Sequence, residues 1–245
     1  MITVLTINGG VLFRTKTFTP DYRYTHNFVD GWLVDEIILL DVTRPGTAPT
    51  GATSFESVVS AVAKRSFVPL AVGGGIRSLD DARRFMALGA DKVVINSGAI
   101  DRPELISEIA RVYGSQCVVL SIDTRKTELG NEVFSHFGSK PSGMSASEWA
   151  RQGAQLGAGE IMLNSIERDG SLEGYDIPLC REVTSAVDVP VQICGGAGAW
   201  PHFVQGILSG GASAVCTTNI YHFTETSIQS AKAFMSKAGI PVRLS

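Results

Sequence analysis

Three aspartates lie at or just after the ends of apolar runs, and their side chains could take part in catalysis or substrate binding. Asp123 ends a short apolar run and is followed closely by Arg125 and Lys126. A carboxylate in such a setting can act as a general acid or base, although a salt bridge to these basic neighbours is the alternative. Asp41 and Asp169 also stand at or just after the ends of apolar runs, where they could hydrogen-bond substrate hydroxyls or cap the next helix.

Two glycine-rich segments could bind phosphate groups. One combines residues 73–75 with Asn96 and Ser97, and the other combines residues 195–198 with 217–219. Glycine lets backbone N–H groups approach an anion closely. Two such segments on one rim would fit a substrate with a phosphate-like group at each end, although the glycines could serve only as tight turns. The predicted substrate- and phosphate-binding residues are Asp41, Gly75, Asn96, Ser97, Asp169, Gly170, Gly195, Gly196, Thr218 and Asn219.

The elements that would position these residues are eight short apolar runs, rich in β-branched side chains. Runs without polar alternation are typical of parallel strands buried on both faces, and several are separated by apolar residues at helical spacing. Eight such units predict one α/β domain over residues 1–245, a (β/α)8 TIM barrel, with an open doubly wound sheet as the alternative. The predicted strands are 3–7, 36–42, 68–72, 92–95, 117–122, 160–163, 189–193 and 214–217, and the predicted helices are 55–63, 79–88, 147–156 and 177–187.

An internal repeat supports the barrel. Residues 73–98 align with 195–220 at a constant offset of 122 positions, about half the chain. Two similar half-barrels would place two similar sets of loops on one rim. Because the loops after the strands form the active site in such barrels, we expect the aspartates and both glycine-rich segments on that rim.

Composition excludes several classes of protein. The sequence has 21 Lys and Arg against 24 Asp and Glu, and no basic run longer than two, which argues against nucleic-acid binding. Apolar stretches of four or five residues are too short to cross a bilayer, and the first residues lack a signal-peptide pattern. The four cysteines are widely separated, and His136, His202 and His222 show no metal-ligand spacing and are interpreted as structural or surface residues. We therefore expect a cytoplasmic protein without a metal or cofactor.

Many motifs, in order along the chain, resemble the cyclase subunit of imidazole glycerol phosphate synthase. The resemblance implies a (β/α)8 barrel that binds a doubly phosphorylated substrate and receives ammonia through the barrel from a glutaminase subunit docked on its N-terminal face. It also implies a lyase reaction in histidine biosynthesis, which splits a ribulosyl aminoimidazole carboxamide nucleotide and closes the imidazole ring with two catalytic aspartates. The motifs are DEIILLDV (35–42), VGGGIRS (72–78), GADKVVINS (89–97), YGSQCVV (113–119), GAGEI (157–161), ERDGSLEGYD (167–176), GGAG (195–198), YHF (221–223) and the C-terminal IPVRL.

The sequence departs from this family at the ring-closing site. Asp123 matches the catalytic aspartate of the fifth barrel strand, but the aspartate of the first strand is absent. The internal repeat puts Asn8 at that catalytic position, and we predict Asn8 and Asp123 as the catalytic residues. The alternative is an ungapped alignment running back from Phe18, which puts Thr6 there. Residues 14–18 replace the family's long first loop. In the second phosphate site, Cys194 and Asn219 replace hydroxyl-bearing residues.

The N-terminal face of the barrel, opposite the ring-closing site, matches the family at more positions. The resemblance places Glu36, Lys92 and Glu160 at three of the four charged positions that gate the ammonia channel. The fourth, an arginine near the start of the first strand, has no counterpart. Asp91 and Gln116 match residues that face the glutaminase. The alternative for the three charged residues is a set of salt bridges that only plugs the barrel.

We interpret the chain as an enzyme of lyase or cyclase type. The resemblance favours a divergent paralogue that takes ammonia from a glutaminase and supports amidation of a surface-polysaccharide (lipopolysaccharide) sugar, with a separate sugar amidotransferase as a further partner. The first alternative is the histidine-pathway cyclase itself. The second is a barrel isomerase of the phosphoribosyl-formimino type, which would also need an acid–base pair at strands one and five.

Overall fold

Eight parallel strands form a closed barrel in the computed structural model, which describes residues 1–16, 19–23, 34–46, 53–217 and 228–244. Each barrel strand pairs with the next one along the chain, and the last pairs with the first. The predicted TIM barrel is therefore confirmed. The eight barrel strands are β1 (Ile2–Asn8), β4 (Glu36–Asp41), β5 (Leu70–Gly73), β6 (Lys92–Ile95), β7 (Val118–Thr127), β10 (Glu160–Ser165), β11 (Val191–Cys194) and β12 (Ala214–Thr217).

Four further strands extend the sheet beyond the carboxyl ends of two barrel strands. β2 (Val11–Lys16) and β3 (Thr19–Arg23) continue β1 as an antiparallel meander, and β8 (Gly130–Ser135) and β9 (Lys140–Ser145) do the same for β7. Of the segment at 14–18, expected as a loop, residues 14–16 lie in β2, and residues 17 and 18 lie outside the described residues. The turn between β1 and β2 is Gly9-Gly10, both with positive φ, the conformation that a two-residue hairpin turn requires.

Helices connect the barrel strands, and polar side chains mark where several of them begin. The hydroxyl of Ser78 accepts a hydrogen bond from Asp81 N while the Asp81 carboxylate accepts one from Ser78 N, a reciprocal capping box. Ser54, Ser145 and Asp176 cap other helices through one side-chain bond each, worth about 1 kcal/mol. The helices of the described residues are α1 (Phe55–Ala63), α2 (Leu79–Ala87), α3 (Ser97–Asp101), α4 (Glu104–Tyr113), α5 (Ala146–Leu156), α6 (Ile177–Thr184), α7 (Trp200–Val204) and α8 (Ile228–Lys237).

The interior of the barrel has an apolar middle between two polar ends. Alternate residues of a strand point to the same face, so each barrel strand sends a short series of side chains into the lumen. On β6, Lys92 lies at the lower end, where the strand begins, and Val94 lies in the middle, with Asn96 just after the strand at the upper end. On β10, Glu160 and Asn164 flank Met162 in the same way. The buried cluster of the middle layer contains Ile2, Val4, Ile38, Ala71, Val94, Val119, Met162, Cys194 and Cys216.

A second, larger apolar layer lies between the barrel and its helices. It includes Trp149 of α5 and Phe85 of α2, both almost fully buried, with Phe55 of α1 packed edge-on against Phe85. None of the described helices is both long enough and apolar enough to cross a membrane. The packing of helices on the outside fixes the strand ends, and with them the two polar layers of the lumen.

Candidate active site

A pocket of about 260 Å³ opens at the carboxyl ends of the barrel strands. Residues from nearly every strand end and following loop line it, as the barrel geometry requires. Several contributors were missed by sequence reasoning, among them Ser121, Met162 and Asn164. The predicted site residues that the structure brings together here are Asp41, Gly75, Asn96, Ser97, Asp123, Asp169, Gly170, Gly195 and Gly196.

Asp123 lies at the centre of this pocket, and burial raises the pKa of its carboxyl group to about 7. A hydrogen bond with the Asn164 side chain opposes that rise, and the negative charge of Asp169 adds to it. Asn96 Nδ2 donates a hydrogen bond of 2.9 Å to Asp123 Oδ2. A carboxyl group with a pKa near neutrality can both accept and return a proton, which is the property that general acid–base catalysis needs.

The first glycine-rich segment lies beside Asp123. At Gly74 the φ is +120°, and a Cβ atom there would come within 2.5 Å of the Asp41 side chain, so only glycine fits. The Ser97 hydroxyl donates to Asn96 Oδ1 over 3.3 Å and accepts from His136 N over 2.9 Å. Ser97 is therefore held at the pocket wall, where its oxygen can face a bound anion.

The second glycine-rich segment lies across the pocket from the first. Gly196 has a φ of +102°, and a Cβ atom there would meet the Gly174 carbonyl oxygen at 2.2 Å. Asn164 Oδ1 lies close to Gly195, is buried, and has no hydrogen-bond partner within the part of the chain described. A substrate N–H or O–H group could satisfy it. Thr218 and Asn219, predicted to complete this segment, lie outside the described residues, as do Thr17 and Phe18.

On the first strand, Thr6 lines the pocket and Asn8 is not among the lining residues. Asn8 pairs with Val11 at the end of the hairpin, while the Thr6 hydroxyl donates to the Phe13 carbonyl oxygen. The geometry thus favours Thr6 as the residue that faces a substrate. Neither side chain carries a carboxylate, so Asp123 lacks a partner carboxylate on β1 in both alignments. The catalytic role of Asn8 stays a prediction.

The turn between β8 and β9 covers part of the pocket. His136, interpreted from the sequence as a structural or surface residue, lines the pocket together with Phe137. The Arg44 guanidinium stacks over the Phe137 ring at 5.6 Å, and His136 Nε2 lies 3.5 Å from the Asp101 carboxylate. These contacts join the turn to the loop after β4 and to the end of α3. Antiparallel pairing of β8 with β7, which no apolar run indicated, brings them there.

The opposite, lower end of the lumen contains a cluster of charged side chains. Lys92 Nζ lies 3.0 Å from the Glu36 carboxylate and 2.8 Å from Glu160 Oε1. Gln192 Nε2 donates to Glu160 Oε2 over 2.5 Å and completes the group, which we term the lower ring (Glu36, Lys92, Glu160 and Gln192). The salt bridges expected on the plug interpretation are therefore present.

Burial shifts the pKa values of charged residues in the lower ring. It raises the pKa of Glu36, and attraction to Lys92 only partly opposes that rise. For Lys92, burial acts to lower the pKa, but hydrogen bonds and charge attraction from Glu160 and Glu36 outweigh it and the pKa is raised. Lys92 is therefore held as an ammonium ion between two carboxylates. Nearby, Asp91 Oδ2 accepts the Leu70 N–H over 2.8 Å.

A closed (β/α)8 barrel with a pocket at the carboxyl ends of its strands is typical of the class of barrel enzymes. Within that class, the family described as histidine biosynthesis protein matches residues 4–227. The match covers most of the chain, which therefore belongs to this family. Its members are enzymes, either isomerases or cyclases.

Replacing Asp123 with Asn should stabilise the protein at neutral and alkaline pH. The carboxyl pKa is about 7 in the folded protein and 3.8 as a reference value, so the folded state binds the proton more tightly. Wild-type stability should consequently fall as the pH rises from about 4 to about 7, by up to about 4 kcal/mol at 1.36 kcal/mol per pKa unit. Urea unfolding at pH 4.5 and pH 8 measures this difference.

Asp80→Asn is the matched control, because that carboxylate is largely exposed on α2. The gain in stability should appear only for Asp123→Asn and should grow with pH. A gain that is equal at both pH values would contradict the buried, proton-binding carboxyl group.

Two anions should bind at the glycine-rich segments. Crystals soaked in phosphate or sulfate should show density beside Gly75 and Ser97 and beside Gly170 and Gly196, the first site being the tighter because Cys194 replaces a hydroxyl residue in the second. Ser97→Ala should weaken phosphate binding about tenfold, since a hydrogen bond to a charged group contributes about 1.5 kcal/mol. An absence of density at both positions, at concentrations that fill ordinary surface sites, would refute the assignment.

Proposed function

We propose that this protein is a divergent member of the cyclase branch of its family, which accepts ammonia from a glutaminase through the barrel. Its acceptor is a bis-phosphorylated or similar substrate, and the chain supports amidation of a surface-polysaccharide sugar. The observation that carries this proposal is the contrast between the two ends of the lumen. Three charged residues of the lower ring match the gate positions of the cyclase family. In the upper pocket, by contrast, Asp123 has no partner carboxylate on the first strand.

The lower ring is costly to maintain in a protein that does not use it. Desolvating three charged groups opposes folding, and well-packed apolar side chains of similar size would often be as stable or more stable. Glu36, Lys92 and Glu160 come from three different strands and meet at the entrance to the lumen. Salt bridges that close an opening and can exchange partners suit a gate. An isomerase that uses no ammonia would have no need for one.

The middle of the lumen supports the passage of a neutral molecule. Above the lower ring, the buried side chains of Ile38, Val94, Val119 and Met162 are apolar. Such a lining disfavours ammonium, which would lose its hydration, far more than it disfavours uncharged ammonia. An apolar layer between a charged entrance and a polar pocket therefore favours delivery of ammonia to Asp123.

Exposed apolar side chains near the lower face support docking of a partner protein. Phe67 precedes β5 and is 69% exposed, and Leu208 precedes β12 and is 62% exposed. Leu244 follows Arg243, whose guanidinium bonds the Val34 carbonyl oxygen just before β4. Large apolar residues on a surface are typical anchors of protein interfaces.

The upper pocket supports the divergent branch more than the histidine-pathway cyclase. Ring closure in the cyclase family divides acid and base roles between two carboxylates, and here Thr6 or Asn8 occupies the position of one of them. The isomerase alternative meets the same objection. The histidine-pathway cyclase remains the alternative function, because Asp123 has a pKa of about 7 and lies in the field of a second carboxylate, Asp169.

Glutaminase stimulation tests the proposal. The purified chain, mixed with each glutaminase subunit of the same organism, should raise glutamine hydrolysis by one of them at least tenfold. Asp91→Lys should abolish that stimulation through charge reversal at the docking face. Because Asp91 also accepts the Leu70 N–H, Asp91→Asn is the informative companion: it can keep the hydrogen bond, loses the charge, and should retain only part of the stimulation.

Asp80→Lys is the matched control, because Asp80 lies in the first turn of α2, on the opposite rim of the barrel. It should leave stimulation unchanged. Stimulation by no glutaminase, or full stimulation in Asp91→Lys with an unchanged melting temperature, would contradict docking on the lower face.

A further inference from the structure

Gln192 occupies an unusual position for a neutral polar side chain. It lies on β11 with 3% of its surface exposed, and its Nε2 donates to Glu160 Oε2 over 2.5 Å. It thus joins the lower ring, although the sequence pattern that indicated Glu36, Lys92 and Glu160 did not include it. The arginine that forms the fourth gate charge in the cyclase family has no counterpart in this sequence. The lower ring instead contains the carboxamide of Gln192.

The carboxamide oxygen of Gln192 is buried and has no hydrogen-bond partner among the residues described. Leaving such an acceptor unsatisfied costs about 1–3 kcal/mol. The other end of the same amide is held by Glu160, which fixes which atom is the donor and which is the open acceptor. The oxygen therefore stays in the layer of the ring, available to a small ligand that carries an N–H group.

The charge of the ring favours a small cation. Two carboxylates, Glu36 and Glu160, stand against the single ammonium group of Lys92, which leaves one negative charge in excess. The terminal ammonium of Met1 lies outside the ring, where it pairs with Asp35 at 3.0 Å, although its charge also acts to lower the pKa of Glu36. A ligand that donates N–H bonds and bears one positive charge would match both the open oxygen and the excess charge.

We propose that Gln192 Oε1, together with the carboxylates of the lower ring, forms a binding site for an ammonium ion at the entrance to the barrel. The site rests on the proposed function only for its purpose, which is to hold ammonium at the entrance to the apolar lumen. Gln192 is the residue that completes the site, because an apolar side chain of similar size would offer no acceptor.

Thermal unfolding of the isolated chain tests this site without a glutaminase or an acceptor. Melting is measured near pH 7 in ammonium, potassium and tetramethylammonium chloride at equal ionic strength. An ion that binds only the folded state stabilises it by RT ln(1 + [L]/Kd), where [L] is the ion concentration and Kd its dissociation constant. Ammonium at tenfold its dissociation constant should therefore raise the melting temperature by about 3–6 °C over tetramethylammonium. Potassium should give less than ammonium, because it donates no N–H bond.

Gln192→Met removes the acceptor at similar volume and should abolish the ammonium-specific increase. Gln192→Glu keeps an acceptor, adds negative charge and should retain the increase, while Gln155→Met, on the exposed face of α5, is the matched control and should behave as wild type. An equal effect of potassium, or an ammonium increase that survives in Gln192→Met, would overturn the site. Ammonium binding without any glutaminase stimulation would instead refute the proposed function and leave the site standing.

Discussion

Closure of eight short parallel strands into one barrel is the constraint on which the rest of this structure depends. Once the barrel closes, alternate residues of every strand share a narrow lumen, and two or three positions per strand decide its chemistry. On β10, Glu160, Met162 and Asn164 place a charge, an apolar side chain and an amide at successive heights. The lower ring, the apolar middle and the pocket around Asp123 are all consequences of that two-residue period.

The barrel could be predicted from the sequence because its strands are continuous apolar runs, which a buried parallel sheet requires. The rim residues Asp41, Asp123 and Ser97 followed from the rule that strand ends meet at one face. The strands β2, β3, β8 and β9 could not be found in this way, since their pairing is local and antiparallel and their residues are mixed in polarity. Gly9-Gly10 was the available signal for the first of these hairpins.

Individual polar residues of the lumen were harder to predict than the fold. Gln192 and Asn164 lie within or beside apolar runs, where a single polar residue gives no periodic pattern. Their roles come from neighbours on adjacent strands: Glu160 for Gln192, and Asp123 for Asn164. Sequence reasoning chose Asn8 over Thr6 at the first strand, whereas the described pocket is lined by Thr6, because the hairpin pairs Asn8 with Val11.

On the proposed function, the ring-closing end of the lumen has changed while the ammonia-receiving end has been kept. Cyclase turnover of the ribulosyl aminoimidazole nucleotide with saturating ammonium salt at pH 8–9 measures it most directly. Loss of one acid–base carboxylate should lower turnover 10²–10⁴-fold relative to a cyclase with both aspartates, about 3–5 kcal/mol of barrier. Asn8→Asp and Thr6→Asp, tested separately, should show which position restores activity. Turnover within tenfold of such a cyclase would contradict the account and assign the protein to histidine synthesis.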